Sequence, residues 1–241
     1  MKSKFIQGED LVRIKGLQKL TLLDYKGYLA ATIFTGGCNF TCPFCQNKEL
    51  VLYPNAVPNI PEAEVYHFLE SRKGRLEAVC ITGGEPTLQQ DLTQFIEKVR
   101  TLGYKVKLDT NGTNPTKIKE LLDNNLVDYI AMDIKNSWNK YNISTDTDHI
   151  SKELLNQSID YIMQSNCDYE FRTTIMRELH TKEDILSICK RIQGAKAYYL
   201  QPYRESPEVI HPVYSSYSRQ ELEYFLHIAT PYVKKCAIIG L

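Results

Sequence analysis

The chain lacks the long apolar runs of a membrane protein. None of its 241 residues lie in a stretch near the roughly 18 uninterrupted apolar residues of a spanning helix. Residues 1–16 carry no apolar segment of the kind that directs secretion, so a cytoplasmic protein without a membrane partner is expected. It also lacks net charge. The 29 basic and 29 acidic residues cancel, which argues against a broad field for nucleic acid. No repeat, low-complexity tract or Pro/Gly-rich linker divides it, so one domain over 1–241 is expected. The five histidines form no H-x-x-x-H pair. Asn142-Ile143-Ser144 matches a glycosylation pattern but lacks the secretory route that would use it.

Seven cysteines remain, an odd number with an uneven spread. A disulfide framework would be shorter and its cysteines more regular. Cys38, Cys42 and Cys45 fall together, whereas Cys80, Cys167, Cys189 and Cys236 are scattered and 46–79 contain none. Three thiolates on one loop suit a soft metal or an iron–sulfur cluster, and three ligands on a cubane leave one iron free for a substrate. A structural zinc site is the competing reading. It needs a fourth ligand, for which Cys80 is available, but there is only one C-x2-C pair.

Short β-branched or aromatic runs near 29–34, 77–82, 104–109, 127–133, 168–175 and 196–201 alternate with amphipathic segments at 61–72, 91–102, 116–123, 152–164, 182–193 and 219–229. Thr181 and Ser218 read as N-caps, and Gly103 and Gly194 as stops. Six strand–helix units imply a parallel α/β sheet. Six are too few for a full eight-stranded barrel, and periodicity does not choose between an open partial barrel and a doubly wound sheet. The unusual polar residues sit where the strands end, with Gly83-Gly84-Glu85 after the second, Asp109-Thr110 closing the third, Asp133 and Lys135 closing the fourth and Gln201 ending the sixth, while Arg172 lies on the fifth. Ligand sites in parallel α/β proteins gather at such carboxyl ends. Asp133 and Lys135 share a face of their strand, as do Glu170, Arg172 and Thr174. Trp138 and Tyr141 in the polar loop 136–150 read as packing residues, and Cys189 as core.

The run from Thr35 to Asn47, with its C-x3-C-x2-C spacing, resembles the cluster loop of the radical S-adenosylmethionine (SAM) superfamily. Thr82-Gly83-Gly84-Glu85-Pro86 resembles that superfamily's turn for the SAM amino group. More narrowly, Leu23–Gly27, the cysteine and GGE segments, 108–115, 127–135, 169–174 and 199–203 resemble activating enzymes of glycyl radical enzymes, those of anaerobic ribonucleoside-triphosphate reductase above all. Lys26 stands where that group usually has proline.

The resemblance implies a partial (β/α)6 TIM-like barrel with its core at about 28–203 and extensions at both ends. It implies one [4Fe–4S] cluster on Cys38, Cys42 and Cys45, and a radical SAM oxidoreductase that takes an α-hydrogen from a glycine of a partner glycyl radical enzyme. Phe44 would pack beside cluster and adenine. Gly83, Gly84 and Glu85 would bind the SAM ammonium. Asp109, Asp133 and Lys135 would contact its ribose or carboxylate, and Arg172 either that carboxylate or Glu170. Asp109, Thr110 and Asp133 would hold a monovalent cation. Flavodoxin or ferredoxin would donate the electron. The competing activity within the superfamily is a small-molecule reaction of the 7-carboxy-7-deazaguanine synthase type.

Overall fold

The near-continuous apolar runs AATIFT and AVCITG form β2 (Ala30–Thr35) and β3 (Ala78–Gly83), after an antiparallel edge strand β1 (Ile14–Thr21). Strands covered on both faces have this composition. In the computed structural model, which describes residues 12–240, the chain continues through α1 (Lys48–Leu52) and α2 (Glu62–Ser71) to β3. It then runs through α3 (Leu92–Thr101), β4 (Lys105–Thr110), α4 (Pro115–Asp123), β5 (Tyr129–Asp133), α5 (Tyr141–Thr145) and α6 (Lys152–Gln164). The last elements are β6 (Asp168–Ile175), α7 (Lys182–Arg191), β7 (Tyr198–Pro202), α8 (Arg219–Ala229) and β8 (Cys236–Ile238). The expected reading of residues 1–11 lies outside the described residues.

Strand order decides what periodicity left open. The sheet runs β1-β2-β3-β4-β5-β6-β7-β8, antiparallel only between β1 and β2. A doubly wound sheet reverses its order at a switch point. Here the order never reverses, so every crossover winds the same way and the parallel strands form an open, barrel-like α/β layer. All six expected strands are present with bounds shifted by a residue or two. β1 and β8 were not expected, because β1 mixes Gly16 with lysines and β8 is only three residues long.

The helices begin and end as their local chemistry dictates. The Ser218 hydroxyl accepts from Glu221 N while the Glu221 carboxylate accepts from Ser218 N, closing a capping box on α8. Asp184 does the same for Thr181 on α7. Among the described residues no helix is long and apolar enough to cross a membrane.

The two ends of the barrel differ. At the amino-terminal end, Tyr25 is buried over Ala30 and Ala78, the first residues of β2 and β3. Its ring lies 4.7 Å from Tyr28 and 5.7 Å from Tyr129. Tyr25 therefore plugs the end opposite the cysteine loop, while Leu23, Lys26 and Gly27 around it are exposed. Outward-facing Val106, Leu108, Ile130, Phe171 and their neighbours pack under the helices, all fully buried.

Candidate active site at the carboxyl ends of the strands

The cysteine loop leaves β2 at Gly36 and is held on each side by main-chain bonds. Gly36 N donates to Arg13 O at 2.8 Å and Gly37 N to Leu50 O at 2.8 Å. Thr41 N donates to Thr145 O at 3.1 Å, and Cys45 N to Cys42 O at 2.9 Å. From the far side, Ile210 N reaches Cys45 O at 3.2 Å and His211 N reaches Pro43 O at 2.7 Å. Cys42 and Phe44 are buried with Phe40 in the main core. The Cys38 sulfur accepts from Phe40 N at 3.4 Å and lies 3.9 Å from the Asn111 side-chain amide.

Burial pushes the Cys38 thiol up to about 11 and the Cys42 thiol to about 12. Lys135 opposes burial at Cys38, Cys42 and Cys45 alike, and Cys42 also feels Cys38 and Cys45. Lys135 is thus the cation whose charge acts on all three thiols. Cys80 does not join them. It is fully buried inside the barrel, 4.0 Å from Lys107 Nζ. A closed zinc site would want a fourth ligand. The three loop thiols without it form a donor set that fits three corners of a cubane. Among the described residues no three His, Cys, Asp or Glu are gathered as tightly as a single ion requires, about 4 Å between sulfurs for bonds of about 2.3 Å. Sulfurs on separate irons stand further apart.

The GGE turn is stacked on this loop, and its glycines are required by backbone contact. Gly83 has φ +109°, and a Cβ there would lie 2.5 Å from Thr35 N and O. A Cβ on Gly84 would lie 2.0 Å from Gly37 O. Gly84 N donates to Thr35 O and Glu85 N to Gly37 O, each at 2.8 Å. Gly84→Ala should therefore cost about 3 kcal/mol and lower Tm by roughly 6–12 °C, with reduced iron retention. A melting curve and iron content like those of the parent would show that the two turns need not touch.

Glu85 is 1% exposed, and both its oxygens are used. Oε1 accepts from Thr87 N, from the Thr87 hydroxyl and, at 2.8 Å, from the Thr110 hydroxyl; Oε2 accepts from Asn111 N at 2.6 Å. Burial raises its pKa against these hydrogen bonds. The side chain ties the end of β3 to the end of β4. The Thr110 hydroxyl points toward Glu85, and the Asp109 carboxylate toward Lys107 and Arg172.

Asp109 belongs instead to an ionic lattice inside the barrel. Lys107 Nζ is 2.7 Å from Asp109 Oδ1, and Arg172 reaches Asp109 Oδ2 at 3.3 Å. Arg172 Nε donates to Asp133 Oδ1 at 2.9 Å, and Lys135 Nζ to Asp133 Oδ2 at 2.8 Å. Glu170 lies 3.8 Å from Arg172 and accepts from the Tyr129 hydroxyl at 2.6 Å. Burial pushes the Asp109 and Asp133 carboxyls up, but Arg172 with Lys107 or Lys135 overcomes it and holds both below the ordinary range. Lys107 and Tyr129 are site-lining residues not singled out from sequence, whereas Glu170 was expected as a neighbour of Arg172. The signal was present: each lies an even number of positions from Asp109, Arg172 or Asp133 on the same strand. Gln201 stands beside Thr174 in the register of β6 and β7.

The loop after β5 is a packing element, as expected. Arg191 stacks on Trp138 with its guanidinium carbon 3.7 Å from the ring centroid, and Tyr141 is buried beside them. His180, fully buried, accepts from Met176 N at Nδ1 and bonds Lys135 O through Nε2 at 2.9 Å. Those two bonds require the neutral ring, and burial lowers its pKa to about 4. Because the folded pKa lies below the unfolded one, the unfolded chain takes up the proton first. Stability from this site is complete above pH 6.5 and is lost as pH falls from about 6.5 toward 4, by up to about 3 kcal/mol. Denaturant titrations of wild type and His180→Gln should show the variant's deficit shrinking across that window. A deficit that does not change with pH would contradict the assignment.

Comparison with known proteins agrees with this geometry. Residues 32–195 match the Radical SAM superfamily. A Methanocaldococcus jannaschii protein provisionally named as a glycyl-radical enzyme activating enzyme is 33% identical over 195 residues, covering 79% of each chain. The 7-carboxy-7-deazaguanine synthase of Thermoplasma acidophilum is 31% identical over 111 residues, 46% of this chain and 49% of that one. Streptococcus suis SuiB, crystallised with SAM, shares the fold at TM-score 0.66 and 15% identity. That overlap takes in 84% of this chain and 48% of SuiB, so the chain spans about half of SuiB's length.

Proposed function

Because the chain belongs to the radical SAM superfamily, we propose that it activates a glycyl radical enzyme, with an anaerobic ribonucleoside-triphosphate reductase as the partner. The observation carrying the reading is the match to an activating-enzyme relative across 79% of both chains. The deazaguanine synthase match spans less than half of either chain.

Cys38, Cys42 and Cys45 would hold a [4Fe–4S] cluster, which, when bound, supplies the electron that splits SAM into methionine and a 5′-deoxyadenosyl radical. Flavodoxin or ferredoxin would provide that electron. An α-hydrogen of a partner glycine would go to that radical, which would leave 5′-deoxyadenosine and a glycyl radical on the partner. The chain's own work is positional. Gly83 and Gly84 bring main-chain carbonyls toward the SAM ammonium, and Glu85 fixes their turn to β4. Lys135 and Arg172 would meet the SAM carboxylate from the lattice, with Asp109 and Asp133 setting their positions. Phe44 packs the loop from beneath.

The test is electron paramagnetic resonance on reduced protein, SAM and the candidate reductase. A glycine-centred doublet with matching 5′-deoxyadenosine is expected. SAM cleavage stimulated instead by a carboxylated pterin, with no doublet, would transfer the assignment to the small-molecule reaction, which the Thermoplasma match favours.

A further inference from the structure

Gln201 is a polar residue at a strand end with no part in the cluster loop, the GGE turn or the ionic lattice. On β6, Tyr169, Phe171, Thr173 and Ile175 are buried under the helices, while Glu170, Arg172 and Thr174 turn into the barrel and keep some exposure. Register carries that face to β7, pairing Arg172 with Tyr199 and Thr174 with Gln201. On the other side Arg172 pairs with Asp133 of β5, so two residues further along lie Lys135 and Thr174. Thr174 and Gln201 therefore stand side by side at the open rim, about 7 Å beyond Arg172 and level with Lys135.

The charges below them are engaged. Three cations, Lys107, Lys135 and Arg172, are paired with three carboxylates, Asp109, Asp133 and Glu170. Thr174 and Gln201 are half-buried, yet among the described residues neither side chain has a hydrogen-bond or ionic partner. Polar groups withdrawn from solvent are costly to leave unpaired. The two side chains thus form an uncharged donor and acceptor set beside a charge-balanced lattice, open to the lumen, and that set suits an uncharged ligand.

We propose that Gln201 and Thr174 grip the main chain of the partner's reacting glycine, so that the ligand they select is an extended glycyl peptide. This role rests on the proposed activation of a glycyl radical enzyme. Glycine has no side chain, and its only polar handles are its own N–H and C=O. In extended backbone these project from one edge. One carboxamide can meet both, Oε1 accepting from the N–H and Nε2 donating to the C=O, and the Thr174 hydroxyl can do either. A charged side chain at this position would be drawn into the lattice, and an apolar one would leave the peptide groups unpaired.

The experiment uses the cluster-loaded full chain, isotope-labelled on the amide nitrogens of its glutamine side chains, with SAM present and followed by NMR. It is titrated with N-acetylglycine methylamide and with the ester analogue in which oxygen replaces the glycine N–H. The Gln201 amide signal is identified by its loss in Gln201→Met. A saturable shift with the glycine probe is expected, and roughly fivefold weaker binding of the ester. Thr174→Val should weaken the glycine probe about as much, and Thr174→Ser should restore it, with iron content at the parent level throughout. No saturable shift, equal binding of the two probes, or unchanged binding by Thr174→Val overturns the proposal. So does a Gln201 signal that SAM alone shifts and the glycine probe does not, because the side chain would then belong to SAM. Probe binding without a glycine doublet in the candidate reductase keeps the peptide grip and removes the activase reading. A doublet without probe binding does the reverse.

Discussion

Cys42→Ala should leave the protein folded and almost free of iron, with no SAM cleavage and no glycine radical. Outer-shell partners alone change metal affinity by 10–100-fold, so removing one of three ligands should cost more than about a hundredfold. The fold should tolerate the change. Cys42 lies among Phe40, Phe44 and other apolar groups, and truncating one sulfur there costs far less than removing a large side chain. The contrast lies with the other cysteines. Cys189 is fully buried on α7, and Cys80 is inside the barrel beside Lys107. Alanine at either should leave iron and sulfide at parent levels. Full iron in Cys42→Ala would remove the ligand assignment. Metal loss in Cys80→Ala would restore the four-ligand zinc reading that the geometry argues against.

Arg172→Met should destabilise the protein by about 3–5 kcal/mol, because it strands buried carboxylates and offers nothing in return. Arg172 touches Asp109, Asp133 and Glu170, and its own side chain is 13% exposed. At this chain length the loss corresponds to a fall in Tm of roughly 6–20 °C. The pH dependence separates this cause from lost packing. The folded carboxyls of Asp109 and Asp133 lie below their unfolded values, so their stabilisation is present above about pH 4 and is lost as pH falls through the folded pKa. Without the guanidinium those carboxyls protonate more readily. The gap between variant and wild type should be widest near neutrality and narrow from about pH 4 downward. A gap that holds constant through acid, or one under about 1 kcal/mol, would mean that the lattice contributes little.

Parts of the site were legible because they depend on local chemistry. The thiol spacing identifies a soft-metal loop in any fold, and the strand-then-helix alternation puts Gly83, Asp109 and Asp133 at carboxyl ends. Thr110 is adjacent to Asp109, and adjacent residues on a strand face opposite sides, so parity alone divides them. Glu85 was harder. Nothing in its neighbours reveals that Thr110 and Asn111 would consume both its oxygens, since they arrive from the next strand.

The sequence by itself determined the six central strands and the longer helices, the helix caps, the cysteine loop and the family, because each is written in spacings of a few residues. Only the tertiary structure decided the monotonic strand order, the stacking of Gly84 on Gly37, and the pairing of Lys107, Arg172 and Lys135 with carboxylates from neighbouring strands. It alone placed the segment after β7 across the cysteine loop. These are contacts between residues far apart along the chain. Their partners are chosen by which faces must be buried together, and no local pattern records that choice.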